Sequence, residues 1–361
     1  MKNFKFNAIT VLIVGLNMAA VNAADGPILN DGLDNTATGQ NVIVIGHKSV
    51  VGGENSTSIG TNTTADGINA LALGTDAKAK VTNPAAANSN KPANLIAIGT
   101  NAKSEAAETV AIGESAKASK HNANAFGSKA KAEGESSLAL GSGSYAKEDS
   151  SVAIGNDSNA TAKSSVALGE STNATAIFAT AVGDSATASG VRSFAAGLNS
   201  NAQSDDSIAI GANTNSTVRG ISIGAEASAY HQGISVGYKS NASGIGSIAT
   251  GVETSASGLS SIASGSNAVA SSTGSVAIGE QSKATAGYGL AIGAKAKAEH
   301  SSSVALGNGS ETKQAKSVKN ATVNNLSYDN FAGTDATATV SVGATQNAQY
   351  TRQIEIGRAH V

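Results

Sequence analysis

The side chains best suited to metal ligation or proton transfer are five histidines, His47, His121, His231, His300 and His360, and they stand far apart in the chain. None has a partner at ligand or triad spacing, so each reads as a solvated surface imidazole. Carboxylates stand close together at Asp205-Asp206 and at Glu133 and Glu135, for example; stacked repeats would bring such positions together, but solvated turn charges are the simpler reading. The regular Gly/Asp signature of calcium-binding rolls is absent. There is no cysteine, which removes disulfide staples and Cys-based zinc sites. No catalytic residue, no cofactor site and no metal site is expected, and the chain is not expected to be an enzyme.

Lysines are the remaining charged clusters. They occur as Ala77-Lys78-Ala79-Lys80, Ala116-Lys117, Lys129-Ala130-Lys131 and Lys295-Ala296-Lys297, with Lys91 standing in a proline-containing stretch. Lysines at these places serve as solvated edges that deter aggregation, or they form a stripe for acidic glycans or matrix proteins. On the second reading the candidate ligand contacts are Lys78, Lys80, Lys91, Lys129 and Lys131.

The elements that must carry these lysines repeat at a stride of fourteen. Gly99, Gly113, Gly127, Gly141, Gly155, Gly169, Gly183, Gly197 and Gly211 keep the interval without a slip. Gly46, Gly60 and Gly74 precede them in phase, and Gly224, Gly237, Gly251, Gly265, Gly279, Gly293 and Gly307 follow after two intervals of thirteen. A chain with 41 glycines in 361 residues has no compositional reason to hold them in phase, so the unit is a structural repeat. The excess before Gly99 falls in residues 81–94, which contain Pro84 and Pro92 and are expected to leave the coil as a loop.

In Ser151-Val152-Ala153-Ile154-Gly155 the alternation is that of a strand. Its bulky members are expected to face inward, giving a repeat core of Val152, Ile154, Val166, Leu168, Ile210 and Ile278. Ala160 and Ala162 on a second short strand would meet them. The turn glycines, among them Gly99, Gly113, Gly141, Gly155, Gly169, Gly183, Gly211 and Gly279, would permit the corners through positive φ. Two strands and two turns per coil make an all-β parallel roll, a solenoid. Apolar burial inside so thin a coil falls short of the entropy of ordering it, so a second copy is expected against the small outward positions such as Ala153. On this reading Ile154→Asp wrecks the coil and Ala153→Asp damages assembly.

Composition agrees. Aromatic residues are 3%, charged residues 14% and the formal net charge −2, which argues against a large globular core, against charge-driven disorder and against nucleic-acid binding. Lys2 and Lys5, the apolar run from Ala8 to Ala20 and the small residues Val21-Asn22-Ala23 form a secretory signal peptide.

The Ser-Val-Ala-Ile-Gly units with alanine-rich spacers, over about residues 41–312, resemble the YadA-type head of the trimeric autotransporter adhesins. Tyr328-Asp329-Asn330-Phe331-Ala332-Gly333, Val340-Ser341-Val342-Gly343 and Arg352-Gln353-Ile354 are similar to that family's last head module and neck start. The resemblance implies a left-handed roll, a homotrimer, a coiled-coil stalk and a C-terminal anchor in the outer membrane of a Gram-negative bacterium. It also implies a cell-surface adhesin for extracellular matrix proteins such as collagen, fibronectin and laminin, for host cells or for other surface polymers. A rigid spacer or self-association module of a surface fibre is the alternative; an ice-binding or carbohydrate-active solenoid would need threonine ladders or clustered carboxylates.

The expected organisation is a signal peptide at 1–23, a lead-in at 24–40, the head at 41–312 with 81–94 inserted, the last head module at 313–350, and a neck start at 351–361. The closing residues Ile356 to Val361 match the translation of a common sequencing-adapter DNA, ATCGGAAGAGCACACGTC. The natural protein is therefore expected to continue, with stalk and anchor, beyond a non-native tail.

Overall fold

A computed structural model describes residues 28–30, 34–82, 93–329 and 334–343. The signal peptide, the neck start with its tail, most of the inserted loop including Lys91, and His360 lie outside the described residues. The chain divides into two compact units, one ending at Ala188 and the other beginning at Ser189.

In the first unit each fourteen-residue repeat forms one coil, made of a three-residue strand, a turn, a two-residue strand and a second turn. Val152–Ile154 followed by Asn159–Ala160 is representative. Coils stack in parallel with like residues in register, Val152 on Val166, Ala153 on Ala167 and Ile154 on Leu168, with Asn159 on Asn173 in the second row. The second unit is built the same way, with Ile248–Thr250 on Ile262–Ser264 and Ser255 on Val269. The described residues of both units form strands and turns without a helix, so each unit is a parallel β-solenoid.

The strand alternation holds but its phase is the reverse of the one expected. Ala153, Ala167, Ala209 and Ala277 are fully buried, as are Ser151 and Ser165. Val152, Ile154, Val166 and Leu168 are half-buried and face outward, and Ile210 and Ile278 are exposed at 36% and 40%. None of the six residues expected in the core is inside its coil. The reason is thickness: a coil closed in fourteen residues brings its two rows so close that Ala160 and Ser158, both buried, meet Ala153 and Ser151, and methyl and hydroxymethyl groups fill the space. Close-packed interiors leave no room for larger side chains without strain.

Many buried serines bond to the turns they adjoin, although the hydroxyls of Ser193, Ser200, Ser247, Ser261 and Ser282 have no partner among the described residues. Ser151 Oγ donates to the Glu148 carbonyl at 2.5 Å, Ser158 Oγ to that of Gly155 at 3.0 Å and Ser165 Oγ to that of Ala162 at 2.6 Å. A buried hydroxyl is thereby compensated, and the carbonyl, which already accepts the amide of the same serine, gains a second donor. Threonine takes the serine place in some coils, as at Thr109, Thr172, Thr214 and Thr254, and among the described residues larger aliphatic side chains are fully buried only near the start of the first unit, at Val42, Val44, Val51 and Leu95. Leu95 fits because Gly67 beside it has no side chain; a Cβ there would stand 2.9 Å from Leu95 Cδ1.

Each repeat glycine is required for stacking as well as for backbone angle. Gly99 has φ 124°, and a Cβ on it would lie 2.5 Å from the Gly113 carbonyl oxygen of the next coil. The corners themselves pass through non-glycine residues in the left-handed region, for example Asn101, Asp157, Ser164 and Asn213 at φ 51–58°. Asn, Asp and Ser dominate such positions because their short polar side chains tolerate that conformation.

The two intervals of thirteen come from second turns shortened by one residue. In Thr217-Val218-Arg219-Gly220 the Gly220 amide donates to the Thr217 carbonyl at 2.6 Å, and glycine stands where neighbouring coils have serine. A Cβ there would meet the Thr217 carbonyl oxygen at 2.9 Å. Insertions leave the register intact. Leu71 pairs with Ile96 and Lys78 with Lys103 across residues 81–94. In the second unit, Val304 pairs with Val340 after an antiparallel hairpin of Asn320–Val323 and Leu326–Asp329.

Candidate functional site

Everything distinctive on this protein is arranged in columns, because a residue at one repeat position lies directly above its counterpart. Three strand columns carry side chains beyond the size of serine. Two run along the long strands: in the first unit Ile96, Val110, Asn124, Leu138, Val152, Val166 and Thr180 form one, and Leu73, Ile98, Ile112, Phe126, Leu140, Ile154, Leu168 and Val182 the other. Together they make an apolar face two residues wide, half-exposed along its length. Monomeric proteins rarely leave so continuous an apolar surface to water. The second unit repeats it with Ile208, Ile221, Ile234 and Ile248 beside Ile210, Ile223, Val236 and Thr250.

The third column lies on the short strands and is cationic. Lys78, Lys103, Lys117 and Lys131 follow one another rung by rung, and Tyr145 ends the series. Acids flank it: Lys117 Nζ is 3.7 Å from Glu105 and 3.4 Å from Glu133, while Lys80, beside the column, pairs with Asp66 at 2.9 Å. Lys131 stands 5.8 Å from the centre of the Tyr145 ring. The Tyr145 hydroxyl donates to Glu133 at 2.9 Å. Burial first, and then this bond and the charge of Glu133, push the phenol up to about 12.

A model of the YadA head domain repeat matches the chain at residues 37–83, 96–214, 231–254, 256–282 and 284–310. The chain belongs to the YadA head repeat family. Among solved structures it is similar to the collagen-binding domain of the Yersinia adhesin YadA, at 17% identity over 79% of this chain and 87% of that one, with a TM-score of 0.14. No curated protein matches.

Along this YadA head the sequence-derived contacts are only partly brought together. Lys78 and Lys131 share the column, Lys80 is neutralised beside it, and Lys129 projects from the adjoining corner at φ 59°. Lys103 and Lys117 complete the column. The signal for them was the fourteen-residue stride from 131 to 117 to 103, with the step of 25 to Lys78 equal to the interval between Gly74 and Gly99.

The groups that suggested catalysis or metal binding are scattered. Asp206 forms a two-point pair with Arg192 at 2.7 and 3.0 Å, which lowers its pKa from the ordinary carboxylate value. Asp205 accepts from the Val191 amide at 2.9 Å, and the Glu135 amide donates to Asp149 at 2.9 Å. His121 lies 3.4 Å from Glu108, and His300 is 3.1 Å from Thr312 Oγ1. Among the described residues no three His, Cys, Asp or Glu side chains gather at ligand distances.

Proposed function

We propose that the chain is the head of a bacterial cell-surface adhesin that attaches, without chemistry, to extracellular matrix proteins, host cells or other surface polymers. It is exported by its N-terminal signal, assembles as a homotrimer through the apolar columns, and is held at the cell surface by an outer-membrane anchor of the kind its family carries. The observation that carries this reading is the columnar surface itself. One shallow arrangement of side chains recurs on successive coils, and repeated weak contacts to a long polymer multiply through effective concentration.

Deleting whole repeats tests it. Removing Gly141 through Ile154 takes out one rung and keeps the phase, so binding to immobilised collagen, fibronectin or laminin is expected to fall gradually as repeats are lost. Removal of residues 81–94 is expected to have little effect. Abrupt loss on removing that segment, with no dependence on repeat number, overturns the repeat-surface mechanism, and failure to bind any polymer favours a rigid spacer.

A further inference from the structure

The second unit contains a groove that belongs to neither the apolar face nor the lysine column of the first unit. Asn267, Val269, Gln281, Lys283, Lys295 and Lys297 line it, and its volume is about 580 Å³. Two columns form its walls. Val269, Lys283 and Lys297 stack in register on the short strands, and Asn267, Gln281 and Lys295 occupy equivalent corners with φ 57°, 54° and 59°. The walls are held by the rung hydrogen bonds Gln281 N to Ser266 O at 2.8 Å, Lys295 N to Glu280 O at 2.7 Å and Lys283 N to Ala296 O at 2.8 Å. The backbone under the groove is therefore already in place before any ligand arrives.

Its charge is concentrated. Lys297 is paired with Glu311 at 3.3 Å, but among the described residues Lys283 and Lys295 have no ion pair. In the first unit the column lysine Lys117 is flanked by Glu105 at 3.7 Å and Glu133 at 3.4 Å. Unpaired cations fixed one rung apart in a concave site attract an anion with repeated charges. The other lining residues narrow the ligand further. The Asn267 and Gln281 amides both donate and accept, as hydroxyl-bearing rings require, and Val269 offers an apolar patch for the C–H face of such a ring. No aromatic side chain lines the groove, so the stacking on which single-stranded nucleic acids depend is missing.

We propose that this groove is a binding site for an acidic glycan, a sugar chain bearing sulfate or carboxylate groups. Lys283 and Lys295 bind the anionic groups, Asn267 and Gln281 the hydroxyls. The choice of a polymer outside the cell rests on the adhesin reading; the site itself rests on the groove.

The test uses the full chain at physiological ionic strength, with heparin, hyaluronan and single-stranded DNA as probes; hyaluronan carries carboxylates alone and heparin sulfates as well, so binding to heparin but not to hyaluronan marks a need for sulfate. Binding to at least one glycan is expected. The double variant Lys283→Gln/Lys295→Gln is expected to weaken it about tenfold, since charge-assisted contacts are lost. Gln281→Ala is expected to weaken it about threefold without changing its salt dependence, while Lys147→Gln/Lys163→Gln, at two exposed lysines of the first unit, leaves it within about twofold. All these residues are surface side chains, so unchanged thermal melting checks the fold. Absence of glycan binding, equal losses from the two lysine pairs, or DNA binding as tight as glycan binding each overturns the proposal. Attachment to matrix proteins that persists without glycan binding in the groove removes the site and leaves adhesion standing; groove binding without attachment to any surface does the opposite.

Discussion

Ala153 and Ile154 are adjacent in the chain and opposite in surroundings. The first belongs to an inner column of alanines and serines that is closed to water; the second belongs to an outer column of Ile, Leu, Phe and Val that a single chain leaves half-exposed. In most soluble proteins the larger apolar residue would be the buried one. Here the coil is too thin to contain it, so the bulky apolar residues are carried outside, where a single chain leaves them half-exposed. On the homotrimer proposed above, folding of the coil and assembly of the head fall to different columns.

The largest expected effect separates the two. Ala153→Asp places an unpaired charge in the closed interior, at a cost of several kcal/mol, and should abolish cooperative melting of the surrounding coils by circular dichroism. Ile154→Asp should leave the circular dichroism spectrum nearly unchanged. The opposite pattern would restore the bulky residues to the interior and break the comparison.

A smaller loss is expected at the repeat glycine. Gly99→Ala must hold a Cβ at φ 124° against the carbonyl of Gly113, and strain of this kind costs about 1–3 kcal/mol. Chemical denaturation should show a lower midpoint with the fold retained. Wild-type stability would mean that the coils can separate at that rung.

The outer columns should respond through association alone. Ile154→Asp combined with Leu168→Asp is expected to shift sedimentation from the trimer toward the single chain, with secondary structure preserved. Unchanged sedimentation would separate the apolar face from assembly.

The smallest effect is a titration. The Tyr145 phenol, raised from 10.0 to about 12 in the folded chain, favours its protonated form. Stability from this group is therefore intact below about pH 10 and is lost as pH rises toward 12. Ultraviolet absorbance should show one tyrosine ionising late, and Glu133→Gln should bring it down. Ionisation of all the tyrosines together would deny the Tyr145–Glu133 contact.

The repeat, its rung-by-rung stacking and the position of the insertion were legible in the spacing of glycines, because one stride is one coil. Strand alternation was legible as well. Its phase was not, since Ser-Val-Ala-Ile-Gly is equally regular with either face inward and only the distance between the two rows decides. That distance depends on the turns, where Asp157 and Ser164 close corners whose width the pattern of large and small residues does not encode. The lysine column could be read once a stride of fourteen was taken as vertical neighbourhood. The groove in the second unit could not, because it combines a corner column with a strand column, and their juxtaposition appears only after the coil is closed.

The 361-residue sequence has no cysteine, so single cysteines introduced in place of Ala153 and Ile154 can report the two environments directly. Maleimide labelling of Ala153→Cys and Ile154→Cys is to be followed through a dilution series that takes the assembled head to separate chains. The thiol of Ile154→Cys should be protected in the assembly and reactive once chains separate, while the thiol of Ala153→Cys stays protected until the coil itself unfolds. Deprotection of both variants at the same point, or an Ile154→Cys thiol that reacts at every concentration, would contradict the division between a small-residue interior and an apolar face covered by partner chains.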